Sequence, residues 1–245
     1  DGVNLGSALA GSIACTKLSV NTTLNMSIGT FTGTAANATI GHGLGVIPEF
    51  IICRSTATAT SWVVYHIDND PTAPQNKYLT LENANAVADA AELWNDTAPT
   101  SSVFSVGSST QLNPSGTEGM FMAFAPSQFI SIGSYEGNAN ADGTFVPTLN
   151  SLGVPIQPVF WIVKNIDYAS NWIMSSTARN TYNKADICSF PNLTNAEGNE
   201  ANVDVVTGGL KYREAANPTN NGYTYVYIAV GTPIIDTDGR IIAGF

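Results

Sequence analysis

The chain has 245 residues, and only 11% are charged, well below the ~25% of an ordinary soluble domain. Nine Lys and Arg against nineteen Asp and Glu give a net charge of −10. Nine scattered cations cannot build the basic stripe that duplex nucleic acid requires. No run of ~20 apolar residues supports a membrane-spanning helix, and 44% hydrophobic with 9% aromatic content is enough to build a core rather than stay disordered.

The polarity comes from neutral side chains, with 24 Asn, 20 Ser and 26 Thr. No Met or signal peptide precedes Asp1, which reads as a chain processed or cut from something longer. Three cysteines, Cys15, Cys53 and Cys188, lack metal-ligand spacing. They read first as small buried hydrophobes, with one disulfide and a leftover thiol as the alternative.

In chain order, residues 1–27 are rich in Gly, Ser and Asn with scattered Leu and Ile. Period-2 segments bounded by Gly, Pro and Asn then predict strands at 50–54, 62–66, 103–106, 120–124, 160–164, 172–174, 203–206 and 223–230. Turn formers separate them: Gly43-Leu44-Gly45, Asn113-Pro114-Ser115-Gly116, Asp142-Gly143, Asn217-Pro218 and Asn221-Gly222. The helix candidate is 82–94, favoured by its alanines and opposed by Asn83 and Asn85. Ile234-Ile235 and Arg240-Ile241-Ile242 flank a hairpin-like Asp238-Gly239 turn at the end.

The chain repeats itself. Ile28-Gly29-Thr30-Phe31-Thr32-Gly33 returns as Ile132-Gly133-Ser134-Tyr135-Glu136-Gly137, an offset of 104. Pro48-Glu49-Phe50-Ile51-Ile52-Cys53-Arg54 returns as Pro158-Val159-Phe160-Trp161-Ile162-Val163-Lys164, an offset of 110, and Ser61-Trp62-Val63 as Asn171-Trp172-Ile173. Asn113-Pro114 matches Asn217-Pro218. A repeat of this length is the size of one β-sandwich and too long for a solenoid or propeller blade. The expected fold is all-β: two related, jelly-roll-like sandwich units in tandem, or two pseudo-symmetric halves of one large sandwich. The organisation is an N-terminal extension (1–27), repeats at 28–130 and 131–233, and a C-terminal tail (234–245).

The run from Gly41-His42-Gly43-Leu44-Gly45 through Pro48-Glu49-Phe50-Ile51-Ile52, followed by Ser61-Trp62-Val63-Val64-Tyr65-His66, resembles a domain of phage structural proteins. Further matches are Pro99-Thr100-Ser101-Ser102-Val103-Phe104, Gly133-Ser134-Tyr135-Glu136-Gly137-Asn138, Arg179-Asn180 and Tyr223-Thr224-Tyr225-Val226-Tyr227, in the same order over most of 28–233. That domain recurs in tail-fibre-like proteins of marine and environmental phages and has no assigned enzymatic activity. The chain departs from it near 53–61 and at Val230-Gly231-Thr232-Pro233.

Candidate chemistry is thin. His42 and His66 are the only imidazoles, and no Gly-x-Ser-x-Gly elbow accompanies them. Glu82, Asp89, Glu92 and Asp96 cluster in sequence as glycosidase carboxylates would, though spacing alone cannot place them across a sugar. Asp68-Asn69-Asp70 and Asp236-Thr237-Asp238-Gly239 offer hard oxygens of the kind Ca²⁺ takes, without a full ligand loop. Trp62 and Trp172 read as core. Tyr78, Trp94, Tyr168 and Tyr182 lie in or near connections, where amphipathic rings meet partners. Asn21, Asn25, Asn37, Asn95 and Asn192 stand in glycosylation sequons, relevant if the protein is secreted.

The expectation is a non-enzymatic virion component, tail-fibre-like or a surface fibre, without a cofactor. It assembles with copies of itself and other virion subunits and contacts a host surface glycan. A secreted, glycosylated filament or coat subunit is the alternative, and a carbohydrate-binding module the third reading. The apolar termini, Leu5, Ile13, Leu18, Val20, Ile234, Ile235, Ile241, Ile242 and Phe245, are expected to make the assembly by pairing between subunits, with completion of edge strands within the chain as the alternative.

Overall fold

The computed structural model describes residues 3–4, 10–56, 59–180, 182–215 and 218–234. The chain forms two compact units, one from Asp1–Leu81 and Val87–Ala125, the other from Glu82–Ala86 and Pro126–Phe245. Both are all-β.

In the first unit the strands are β1 (Val3–Asn4), β2 (Cys15–Asn21), β3 (Met26–Thr32), β4 (Ala38–Gly41), β5 (Phe50–Ser55), β6 (Val63–His66), β7 (Lys77–Thr80), β8 (Ala88–Asp89), β9 (Val103–Val106) and β10 (Glu118–Phe124). Eight form one antiparallel sheet in the order β1-β2-β3-β10-β5-β6-β7-β8, and β4 pairs with β9. The period-2 pattern turns Leu18, Phe31, Ile51, Cys53, Val63, Tyr65 and Phe121 of the large sheet inward. They meet Ile40, Phe104 and Val106 of the small one in a single core.

The second unit holds β11 (Ile130–Glu136), β12 (Phe145–Pro147), β13 (Ile156–Asn165), β14 (Ile173–Ser176), β15 (Val203–Val206), β16 (Gly209–Tyr212) and β17 (Thr224–Pro233). Its sheets run β11-β17-β13-β14 and β12-β16-β15. The core stacks Tyr135 on Tyr225 (centroids 5.0 Å) and on Tyr212 (5.3 Å), beside Trp161, Val163 and Ile173.

The sequence repeat is a repeat of topology and register. The order β3-β10-β5-β6 returns as β11-β17-β13-β14. In the first unit Gly29 faces Phe121, Phe121 faces Cys53, and Cys53 faces Val63. In the second Gly133 faces Tyr227, Tyr227 faces Val163, and Val163 faces Ile173. Phe50 and Phe160 hold the same place, opposite His66 and Ser176.

A buried asparagine closes the same turn in each unit. Asn113 Oδ1 accepts the Thr34 N–H at 2.7 Å, and its Nδ2 donates to Ala36 O (2.7 Å) and Gly107 O (2.9 Å). Asn220 Oδ1 accepts the Asn138 N–H at 3.3 Å, and its Nδ2 donates to Asn140 O (3.0 Å) and Glu214 O (2.9 Å). The turn residues Ala35 and Ala139 both have positive φ, 55° and 50°, a conformation that costs an alanine energy and persists only when neighbours enforce it. Gly33 and Gly137 precede these turns, where a Cβ would collide with the Pro114 and Asn221 carbonyls. The partner of Asn113 is thus Asn220, not Asn217, which lies outside the described residues along with Ala216.

Several expectations change. The helix predicted over 82–94 is one turn, α1 (Ala91–Trp94). The Asn83 Oδ1 accepts the Asn85 N–H at 2.9 Å, competing with helical pairing, and Ala88–Asp89 pairs with β7 instead. The N-terminal segment is not an appendage: Ile13, Cys15, Leu18 and Val20 are buried in the first core, and β2 pairs along β3. The apolar side chains of this segment are thus covered within the chain. Of the C-terminal tail only Ile234 is described; Leu5, Ile235, Asp236, Thr237, Asp238, Gly239, Arg240, Ile241, Ile242 and Phe245 fall outside. Trp172 is fully buried as expected, but its counterpart Trp62 is only half-buried, with the Arg54 guanidinium 4.7 Å above its ring. Lys164, the counterpart of Arg54, is fully buried; its ammonium donates to Asn165 O (2.6 Å) and Ala84 O (3.4 Å).

Candidate binding surface

At the end of β13 the Asn165 side chain folds the chain into a tight turn, its Oδ1 accepting the N–H groups of Asp167 (3.0 Å) and Tyr168 (2.8 Å). Asp167 Oδ2 then accepts the Thr224 N–H at 2.8 Å, and Ile166 N–H donates to Thr224 O at 3.1 Å. These bonds pin Tyr168 beside Tyr223, and the two rings stack nearly parallel at 5.7 Å and 8°. Tyr168 is 59% exposed. The arrangement presents a fixed, amphipathic ring face with little conformational entropy left to lose on contact.

The other expected contact residues fare differently. Tyr182 is 85% exposed and stacks on no ring among the described residues. Trp94 is 3% exposed, because α1 drives it into the first core, where it meets Tyr65 (6.1 Å) and Phe104 (6.5 Å) edge-on. Tyr78 is half-buried against the same core. Trp94 is thus withdrawn from solvent, while Tyr78 stays partly exposed. Tyr223, read from sequence only as a strand residue, becomes part of the surface through a turn that sequence spacing does not show.

Both imidazoles are fully buried. His42 Nδ1 accepts the Leu44 N–H (3.2 Å), so Nε2 carries the proton and donates to Thr100 O (3.0 Å). Burial holds its basicity below the usual range, against the opposing pull of that carbonyl. His66 Nδ1 accepts the Asp68 N–H at 3.0 Å. The three cysteines are unpaired and buried, and burial pushes the Cys15 thiol up to about 11.

Among the acids, Asp70 Oδ1 is occupied by Thr72 N–H, Thr72 Oγ1 and Ala73 N–H, so it closes a turn. Asp89 pairs with Lys77 at 3.0 Å. Three sequon amides are engaged internally: Asn37 Nδ2 donates to Asn95 Oδ1 (2.5 Å), and Asn192 Nδ2 to Asn171 Oδ1 (2.9 Å) while its Oδ1 accepts the Trp172 N–H. Asn21 Oδ1 accepts from Thr23 and Leu24, and Asn25 holds a positive φ of 51°. Among the described residues no helix is long and apolar enough to cross a membrane.

A family model described as Domain of unknown function (DUF7483) matches residues 4–232. No curated protein and no solved structure matches the chain. A match spanning both units and nearly every described strand means that this chain belongs to the DUF7483 family.

Proposed function

We propose that the protein is a non-enzymatic structural component of a phage particle, tail-fibre-like or a surface fibre, that works as an assembly and touches a host surface or neighbouring subunits. The observation that carries this reading is where the reactive side chains go. Both imidazoles and all three thiols are buried and spent on the fold, while the side chains fixed outward are the stacked tyrosines. A surface polar through amides and hydroxyls keeps its solvation across salt changes, which suits a particle exposed to its environment. The resemblance of its motif order to that of tail-fibre-like proteins supports the virion setting. The glycosylated-filament reading loses support at Asn37 and Asn192, where a glycan would displace an existing hydrogen bond.

Gold-labelled antibody against the chain, imaged on purified particles in negative stain, tests the proposal. Label on intact tails or particle surfaces is expected. Label confined to host cells or secreted filaments overturns it.

A further inference from the structure

Glu49 lies one residue before β5, opposite Ile67, whose N–H donates to Glu49 O at 2.9 Å. Strand parity places its side chain on the face of Ile51 and Tyr65, which is the core face. Asp68 follows Ile67 directly. Burial, and then the charge of Asp68, push the Glu49 carboxyl above its usual range. Neither acid joins an ion pair among the described residues. Two carboxylates are thus held near each other in partly desolvated surroundings without a cation.

Two buried side chains with unpaired polar atoms adjoin this pair in the fold: Tyr65, on the same face as Glu49, and Asn69, directly after Asp68. The Tyr65 phenol oxygen has no hydrogen-bond partner, and it feels the charges of both Glu49 and Asp68. Asn69, 2% exposed, leaves both Oδ1 and Nδ2 unpaired. Leaving buried polar atoms without partners is costly, and an ion held between them and the carboxylates accounts for their being kept. No third carboxylate, thiol or imidazole joins the acids among the described residues. The donor set is therefore all oxygen, part charged and part neutral, drawn from β6, the turn that follows it and the residue before β5.

We propose that Glu49, Asp68, Asn69 and Tyr65 form a binding site for a hard divalent cation, Ca²⁺. All-oxygen ligands favour hard cations over the softer metals, and a mixed set of carboxylate and neutral oxygens suits Ca²⁺, which accepts carboxylates, amide oxygens and water in flexible geometry, better than the strictly octahedral Mg²⁺. The ion neutralises the carboxylate pair and gives the orphaned oxygens a partner. The site stands apart from the assembly reading and does not depend on it.

Terbium titration tests it, because Tb³⁺ follows Ca²⁺ chemistry and Trp94, its ring 6.1 Å from that of Tyr65, can sensitise its emission. Under indole excitation the native chain should show a several-fold, saturable rise that excess Ca²⁺ reverses. Glu49→Gln and Asp68→Asn should abolish the rise. Without Ca²⁺, Glu49→Gln should melt no lower than the native chain, since it removes a repulsion. With Ca²⁺ only the native chain should gain thermal stability. No sensitised emission from a folded native chain overturns the site, and so does a Glu49→Gln variant that binds Tb³⁺ and is stabilised by Ca²⁺ like the native chain.

Discussion

Replacing Asn113 with Ala removes a fully buried side chain and with it four hydrogen bonds, from Thr34 N–H, to Ala36 O and Gly107 O, and a long one of 3.4 Å to Thr34 Oγ1. The first two sites are partly buried, so water can reach the freed groups, and each loss should cost about 1 kcal/mol. The bond to Gly107 O is buried, and leaving that carbonyl unpaired should cost nearer ~2 kcal/mol. The turn it closes also holds Ala35 at positive φ, strain that persists only while neighbours enforce it. The expected total is about 4 kcal/mol, against a typical domain stability of ~5–15 kcal/mol. Urea titration followed by far-UV circular dichroism measures it, with exposed Ser108→Ala as the control. Asn220→Ala should cost a similar amount in the second unit, because its bonds with Asn138, Asn140 and Glu214 reproduce the first set, with a further one accepted from the Thr144 N–H. An Asn113→Ala loss indistinguishable from the Ser108→Ala control would refute the claim that this side chain holds the turn.

Trp172→Ala should cost about 3–5 kcal/mol, as for a fully buried indole, and the half-buried Trp62→Ala well under half of that; equal losses in the same urea titration would refute the difference drawn between the two units. Native protein should resist thiol alkylation at Cys15, Cys53 and Cys188, and urea-unfolded protein should take up three labels by intact mass without a reductant; a single label would reveal a disulfide. Burial draws the Lys164 ammonium down to about 8, so between there and the ordinary lysine range the unfolded chain binds the extra proton. Stability should therefore rise as pH increases, by about 1.5 kcal/mol from pH ~8 to ~9.5, and Lys164→Met should remove that rise in stability curves at the two pH values.

Strand positions and the repeat were legible because alternation and motif order are local signals. The matches at 104 and 110 are the same pairs that share register in the sheets, such as Gly29 with Gly133 and Cys53 with Val163. What escaped the sequence depended on turns. The asparagine matching Asn113 was misplaced by three residues, because the Asn217-Pro218 dipeptide copies its neighbours while Asn220 copies its hydrogen bonds. Trp94 looked like a loop ring because one helical turn is too short to show periodicity. Tyr168 stood out as a ring in a connection, but its stacking on Tyr223 comes from the Asn165 turn and the Asp167 tie to Thr224. Glu49 passed as part of a repeated motif, and only the pairing of β5 with β6 sets it beside Tyr65 and Asp68.

The central claim is that the protein works as an assembled structural subunit. Sedimentation equilibrium of the native chain, run over a wide concentration range in buffers with and without Ca²⁺, tests it most directly. A defined multiple of the 25.7 kDa chain mass, or larger fibres, is the predicted result. A 25.7 kDa monomer at every concentration in both buffers would contradict it.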